Sequence, residues 1–173
     1  MFNSAFGDLA AHAEVDLYPT EHVEELQELN KLVYNDINNG VYRAGFARQQ
    51  AAYDAAVSDV FAALAHVEER LSTQRYLVGG KFTWLDLRLF HTLVRFDPVY
   101  HTYFKTNEKH IADYPNLLGY MRDIYSIEPV GKTININHIK THYFTSHPQL
   151  NSFAIIPKHS GPYLDQPSGR ATL

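Results

Sequence analysis

The chain has 173 residues, 45% hydrophobic and 20% charged, with a net charge of −4, which suits one globular domain with its own core and argues against disorder and against the basic surface of a nucleic-acid binder. It contains no cysteine, which excludes disulfides, thiolate metal sites and a cysteine nucleophile within these residues. No apolar run approaches the roughly 20 residues that span a bilayer, and the start, Met1-Phe2-Asn3-Ser4-Ala5-Phe6, lacks the regions of a signal peptide, so no membrane contact and a cytoplasmic location are expected.

Residues 1–19 read as a lead-in ending at Tyr18-Pro19. Glu21, Glu24 and Glu25 then suit the positive end of a helix, and Val23, Leu26, Leu29, Val33 and Ile37 continue at helical spacing. Asn38-Asn39-Gly40 is predicted to end that helix, because these residues tolerate a left-handed cap. Residues 41–45 are read as a short connection, and a second helix is predicted over 46–71. Its apolar stripe is Phe46, Tyr53, Val57, Val60, Phe61, Leu64, Val67 and Leu71, and its alanines raise helix propensity.

Gly79-Gly80 breaks the chain, and Thr83-Trp84-Leu85-Asp86 reads as a capping-box variant. The helix that follows is apolar on most sides, as expected of a central helix, with a narrow stripe of Arg88, His91 and Arg95. Residues 97–114 are read as an irregular connection with room for a helical turn. Pro115 opens another helix, with Leu117, Leu118, Met121, Ile124 and Tyr125 inward, ended by Pro129 and Gly131. A last helix is predicted over 135–146, followed by an irregular tail rich in Pro and Gly. The fold class expected is all-α.

Four features bear on chemistry. The 12 tyrosines and 10 phenylalanines, with Trp84, make 13% of the chain aromatic; such a domain can line a pocket for a flat ligand, though core packing is the commoner role of any one ring. His138 and His142 lie four apart on one helix face with His147 nearby, a spacing that can hold a metal but without the Glu of the zinc-protease motif, so no metal site is assigned. Tyr42 and Tyr143 carry hydroxyls able to donate to developing negative charge, but spacing does not say whether they meet. Arg88, His91 and Arg95, with Asp86 and Asp97 close in sequence, are expected to form a buried salt-bridge network; an anion-binding surface is the alternative.

The segment Tyr76-Leu77-Val78-Gly79-Gly80-Lys81-Phe82-Thr83-Trp84-Leu85-Asp86 resembles the glutathione transferase C-terminal domain. More specific stretches resemble the glutathionyl-hydroquinone reductases, or Xi-class (omega-like) glutathione transferases. They are the start motif, Asn38-Asn39-Gly40-Val41-Tyr42-Arg43-Ala44-Gly45-Phe46-Ala47, Leu85-Asp86-Leu87-Arg88-Leu89-Phe90 through Arg95-Phe96-Asp97, Asp113-Tyr114-Pro115-Asn116-Leu117, Arg122-Asp123-Ile124-Tyr125, and His138-Ile139-Lys140-Thr141-His142-Tyr143-Phe144-Thr145-Ser146-His147-Pro148. The match runs to about Pro157; the tail from Lys158 matches poorly, and Phe144 stands where the family has a second tyrosine.

The resemblance implies a glutathione transferase C-terminal-like helical bundle over 1–157 with an irregular tail over 158–173. It also implies that the family's N-terminal thioredoxin-like domain, with its Cys-Pro-Trp-type nucleophile and most of the glutathione site, is absent here. In the family a thiolate attacks the sulfur of a glutathionyl-hydroquinone, the hydroquinone leaves, and a second glutathione resolves the mixed disulfide. By this resemblance Tyr42, Tyr143 and His142 are candidate substrate-binding residues, while Thr83, Asp86, Arg88 and Arg95 are expected to be structural. The expectation is the substrate-binding and dimerisation half of such a reductase, inactive alone, with no tightly bound cofactor and glutathione as co-substrate of the full-length family. Its expected partners are a glutathionyl-quinone or other aromatic small molecule, a second copy of itself, and a thioredoxin-like domain in cis or in trans. A non-catalytic interaction module and a His-based metal-binding protein are the alternatives.

Overall fold

The computed structural model describes residues 5–158, 161 and 164–173. Residues 1–4, which open the start motif, lie outside the described residues, as do 159, 160, 162 and 163 of the expected irregular tail. Among the described residues eight α-helical segments carry the fold: α1 (Val23–Leu32), α2 (Gly40–Gly45), α3 (Gln50–Arg70), α4 (Trp84–Arg95), α5 (His101–Tyr103), α6 (Pro115–Tyr125), α7 (Glu128–Gly131) and α8 (Ile136–Ser146). Among the described residues there is no strand. An isolated bridge between Val78 and Lys81 closes the turn at Gly79 and Gly80, both at positive φ, as a Gly-Gly hairpin turn requires.

The first correction concerns Asn38-Asn39-Gly40. The helix does not stop there. A π-helical segment, Val33–Asn38, links α1 to α2, Asn39 keeps helical angles, and its carbonyl accepts the Arg43 amide at 2.8 Å. Gly40 is present for packing rather than termination: a Cβ there would lie 2.7 Å from Val60 Cγ2 on α3. Residues 41–45 are therefore helical and not a connection, which puts Tyr42 on α2. The second helix starts at Gln50 rather than Phe46, and Phe46 is exposed instead of joining the core stripe.

The stretch 97–114 is more ordered than expected. Phe96–Tyr100 forms a second π-helical segment. Pro98 explains it, since proline supplies no amide to an α-helical bond and forces the turn to widen. The 3-10 turn Ile111–Asp113 follows α5. Pro129 does not end α6, which closes at Tyr125; it sits in the first turn of the short α7, where its missing amide costs nothing.

The core is built around α4. It buries Leu85, Leu89, Phe90, Leu93 and Val94 against the first π segment and α6. The second π segment continues it and packs on α8. Glu68 of α3 satisfies the start of α6, accepting the amides of Asn116 at 2.9 Å and Leu117 at 2.7 Å, orphan donors that a helix start otherwise leaves open.

The tail beyond Pro148 lacks regular elements, yet it is anchored. Arg170 is 3% exposed and donates to the carbonyls of Leu71 at 2.8 Å, Gln74 at 2.5 Å and Arg75 at 3.2 Å. These carbonyls lie just past the end of α3, where helix carbonyls lack internal partners. Replacing Arg170 with alanine is expected to destabilise the chain by about 2 kcal/mol, the scale of losing charge-assisted bonds to buried acceptors. A shift in urea midpoint with unchanged slope would read it, and an unchanged midpoint would count against the anchor.

Candidate functional site

One cavity of about 350 Å³ opens where α4, the two π segments, α2 and α8 converge. Its walls are Tyr34, Asn38 and Asn39 from the first bend, Tyr42 from α2, Arg88, His91, Thr92 and Arg95 from α4, Tyr100 from the second π segment, and Tyr143 from α8. π turns shift the helical register and are frequent at functional sites; here they aim Tyr34, Asn38 and Tyr100 into this cavity.

Three tyrosine hydroxyls join at its floor. Tyr42 and Tyr143, 101 residues apart, are in short hydroxyl-to-hydroxyl contact, and Tyr100 reaches Tyr143 at 2.8 Å. Tyr100 is 2% exposed, Tyr143 6% and Tyr42 38%, so the chain of hydroxyls runs from the core to the mouth. Its polarity follows from satisfaction. Among the described residues the Tyr100 hydroxyl finds its near partner in Tyr143, and a buried hydroxyl proton left unpaired costs about 1–3 kcal/mol, so Tyr100 donates. Tyr42 and Tyr143 then share one contact but hold two protons. Whichever donates, one hydroxyl proton stays free for a ligand in the cavity.

Burial pushes the Tyr143 hydroxyl up to about 12 and pushes Tyr100 further above the ordinary tyrosine value. Both are therefore protonated donors at neutral pH rather than phenolates. The sign for stability is set by the same shift. Between about pH 10 and 12 unfolded Tyr143 gives up a proton that the folded form keeps, so stability falls as pH rises through that window. Urea midpoints at about pH 9 and pH 11 should show this fall, and Tyr143→Phe should reduce it; an equal fall in the variant would argue against a buried, protonated Tyr143.

The rings around these hydroxyls account for much of the aromatic content. Tyr42 packs edge-on to Phe104 at 5.2 Å, and Tyr100 stacks on Phe104 at 5.4 Å. Phe46 lies 5.3 Å from Phe104 and 5.5 Å from His147. Gly45 makes room for this wall, because a Cβ there would fall 2.1 Å from the Phe104 ring. Phe144 meets Tyr103 at 4.7 Å and is 4% exposed, so the hydroxyl that a tyrosine would add there would need a buried partner.

The remaining candidates fall as follows. His142 is exposed and stands edge-on against Tyr143, 5.2 Å between ring centres, outside the cavity lining. His138 is also exposed, and His147 turns to Tyr103, with Nδ1 3.3 Å from its hydroxyl. Among the described residues no three His, Asp or Glu side chains converge on a metal-sized site. Thr83 and Asp86 form the reciprocal capping box of α4, and Asp86 also accepts the Leu77 amide and the Tyr120 hydroxyl, each at 2.9 Å.

The expected salt-bridge network is not formed, which is the second main correction. Asp86 faces Leu77, Thr83 and Tyr120, and Asp97 accepts the amides of Ile111 and Ala112. Asp86 and Arg88 are two residues apart on a helix and so point to different sides. Arg88 and Arg95 are half-buried and line the cavity instead. Tyr34, Asn38, Asn39, Thr92 and Tyr100 are lining residues that sequence reasoning missed; Pro98 was the one local signal, since it marks the widened turn that carries Tyr100.

Comparison with known proteins fits this architecture. The family model for the glutathione S-transferase C-terminal domain matches residues 50–123. The glutathionyl-hydroquinone reductase YqjG of Escherichia coli is 49% identical over 170 residues, covering 98% of this chain and 52% of that protein. The reductase PcpF of Sphingobium chlorophenolicum is 47% identical, covering 91% of this chain and 50% of that protein. The chain thus spans about half the length of these relatives. The glutathione-bound structure of the E. coli protein superposes with a TM-score of 0.94, over 99% of this chain and 56% of that one. The Xi transferase of Phanerochaete chrysosporium superposes with a TM-score of 0.90 at 47% identity, over 96% of this chain and 54% of that one. In sequence and in fold, the chain belongs with the helical C-terminal domains of Xi-class glutathione transferases, the glutathionyl-hydroquinone reductases.

Proposed function

We propose that the chain forms the aromatic-substrate side of a glutathione-dependent glutathionyl-hydroquinone reductase. The observation that carries this reading is the hydroxyl chain from Tyr100 through Tyr143 to Tyr42, which leaves one proton for a ligand at the floor of an aromatic cavity. When a thiolate takes the glutathionyl sulfur, the carbon–sulfur bond breaks and its electron pair moves onto the hydroquinone. A tyrosine hydroxyl held against the ring can then stabilise the developing charge, and a proton added at the carbon that lost sulfur completes the hydroquinone.

The 173 residues hold no cysteine, so the thiolate comes from a thioredoxin-like domain in cis or in trans. Such a domain would cover the exposed rings of Tyr34, Tyr42 and Phe46 beside the cavity. Their exposure also supports self-association in its absence, within a cytoplasmic protein. Among the described residues no helix is long and apolar enough to cross a membrane.

The test is hydroquinone release from a glutathionyl-hydroquinone. The chain alone should give none, and addition of the cysteine-bearing domain of a relative should produce it. Turnover by the chain alone would overturn this reading, as would a substrate that neither binds the chain nor turns over in the mixture.

A further inference from the structure

Arg88, His91 and Arg95 lie along one face of α4, with the two arginine Cα atoms about 10 Å apart along the helix axis. All three line the tyrosine cavity. Arg88 and Arg95 are the cations here, with His91 a neutral donor beside them, and cations in a cavity wall are ordinarily paired with carboxylates. Here, among the described residues, no carboxylate lies within ion-pair distance of any of the three. The two aspartates near them in sequence are both engaged elsewhere by amides and hydroxyls.

Both guanidinium groups have donors to spare. Arg88 lies between the rings of Tyr34 and Trp84, its central carbon 5.0 and 4.9 Å from their centres, and gives one bond to Asn30 Oδ1 at 3.0 Å. Arg95 gives one bond to the His91 carbonyl at 2.6 Å. A guanidinium carries five N–H donors, so most of this capacity is unspent. The ring sandwich fixes Arg88 in place, which lowers the entropy lost when it binds an anion. Arg95 acts on both sides of the cavity: its charge lowers the pKa of His91, after the larger effect of burial, and it is felt at Tyr143. In a chain of net charge −4 this is a local concentration of positive potential beside an aromatic slot.

We propose that the Arg88–His91–Arg95 face makes the cavity select aromatic ligands that carry an ionised carboxylate or similar acidic substituent, with Arg95 as the main specificity-determining residue. This rests on the reading of the cavity as an aromatic-substrate site and adds the charge class of the substrate.

The test is calorimetric binding of 2-naphthoate and of its neutral counterpart 2-naphthamide to the chain at low salt. The expected result is a preference of roughly tenfold for naphthoate, the scale of one charge-assisted contact in a half-shielded site. Arg95→Gln should collapse that preference to about twofold or less, Arg88→Gln should reduce it, and Arg95→Lys should keep part of it. Added salt should erode it in the unsubstituted chain, which gives a reading independent of any variant. Equal affinity for the two ligands overturns the proposal and leaves the aromatic site standing, as does an Arg95→Gln chain that weakens both ligands alike. Failure of both ligands to bind removes the aromatic reading and the proposal with it. S-methylglutathione that displaces naphthoate, and ceases to in Arg95→Gln, assigns the face to the carboxylates of glutathione and overturns the aromatic assignment.

Discussion

Replacing Asp86 with alanine is expected to lower the thermal midpoint by about 10 °C. The carboxylate is fully buried and serves four donors: the Leu77 amide at 2.9 Å, the Thr83 amide at 2.8 Å, the Thr83 hydroxyl at 2.8 Å and the Tyr120 hydroxyl at 2.9 Å. Burial raises its pKa, and those four bonds pull it back. Alanine strands all four donors where water does not reach them, at about 1–3 kcal/mol for each that stays unpaired. It also removes half of the capping box of α4. Partial relaxation brings the sum to about 3–5 kcal/mol, the upper range of single substitutions. For a domain of this size each kcal/mol moves the midpoint by roughly 2–4 °C.

Two comparisons make the assignment specific. Thr83→Ala removes one cap and should cost about 1 kcal/mol. Asp86→Asn keeps an acceptor oxygen but turns an amide NH2 toward donors, so it should fall nearer to alanine than to the unsubstituted chain. Midpoints within about 1 kcal/mol of one another for all three variants would mean that the network is not what orders the start of the central helix.

That helix start was legible because its chemistry is local. Thr83 and Asp86 are three residues apart, and a capping box can be read from that spacing. The same holds for the apolar stripe of α3; the Asn135 cap of α8, whose side chain accepts the His138 amide, is seen only in the structure. What escaped was set by contacts distant in sequence. Gly40 looks like a helix stop until Val60 is seen beside it. The π segments have no counterpart in a 3.6-residue pattern, so Tyr100 fell in a stretch read as irregular. The Arg88 and Arg95 stripe suggested carboxylate partners because Asp86 and Asp97 are close along the chain; the helix sends one of them into the core, and the π turn hands the other to the Ile111 amide. The hydroxyl chemistry and the resemblance both point to Tyr42 and Tyr143, but nothing in a separation of 101 residues says that two hydroxyls touch.

With the cysteine-bearing domain supplied, Tyr143→Phe is expected to lower kcat of glutathionyl-hydroquinone reduction by about 10²-fold, the low end of general acid–base contributions. Phenylalanine keeps the ring packed on Tyr100 and Tyr103, so the cavity retains its shape and KM should change little. What is lost is the junction of the hydroxyl chain: Tyr100 loses the acceptor 2.8 Å away, and Tyr42 loses the neighbour that fixes its orientation. Tyr42→Phe should have an effect of similar size, and the double variant should be little worse than either single one, because the two hydroxyls act as one donor. Tyr100→Phe should cost only several-fold, since it withdraws a supporting bond and not the proton offered to the ligand. A stopped assay under saturating glutathione separates kcat from KM. If Tyr143→Phe raised KM while kcat stayed fixed, the pair would be binding the ring without stabilising charge on it, and the chemical role assigned to the hydroxyl chain would have to be withdrawn.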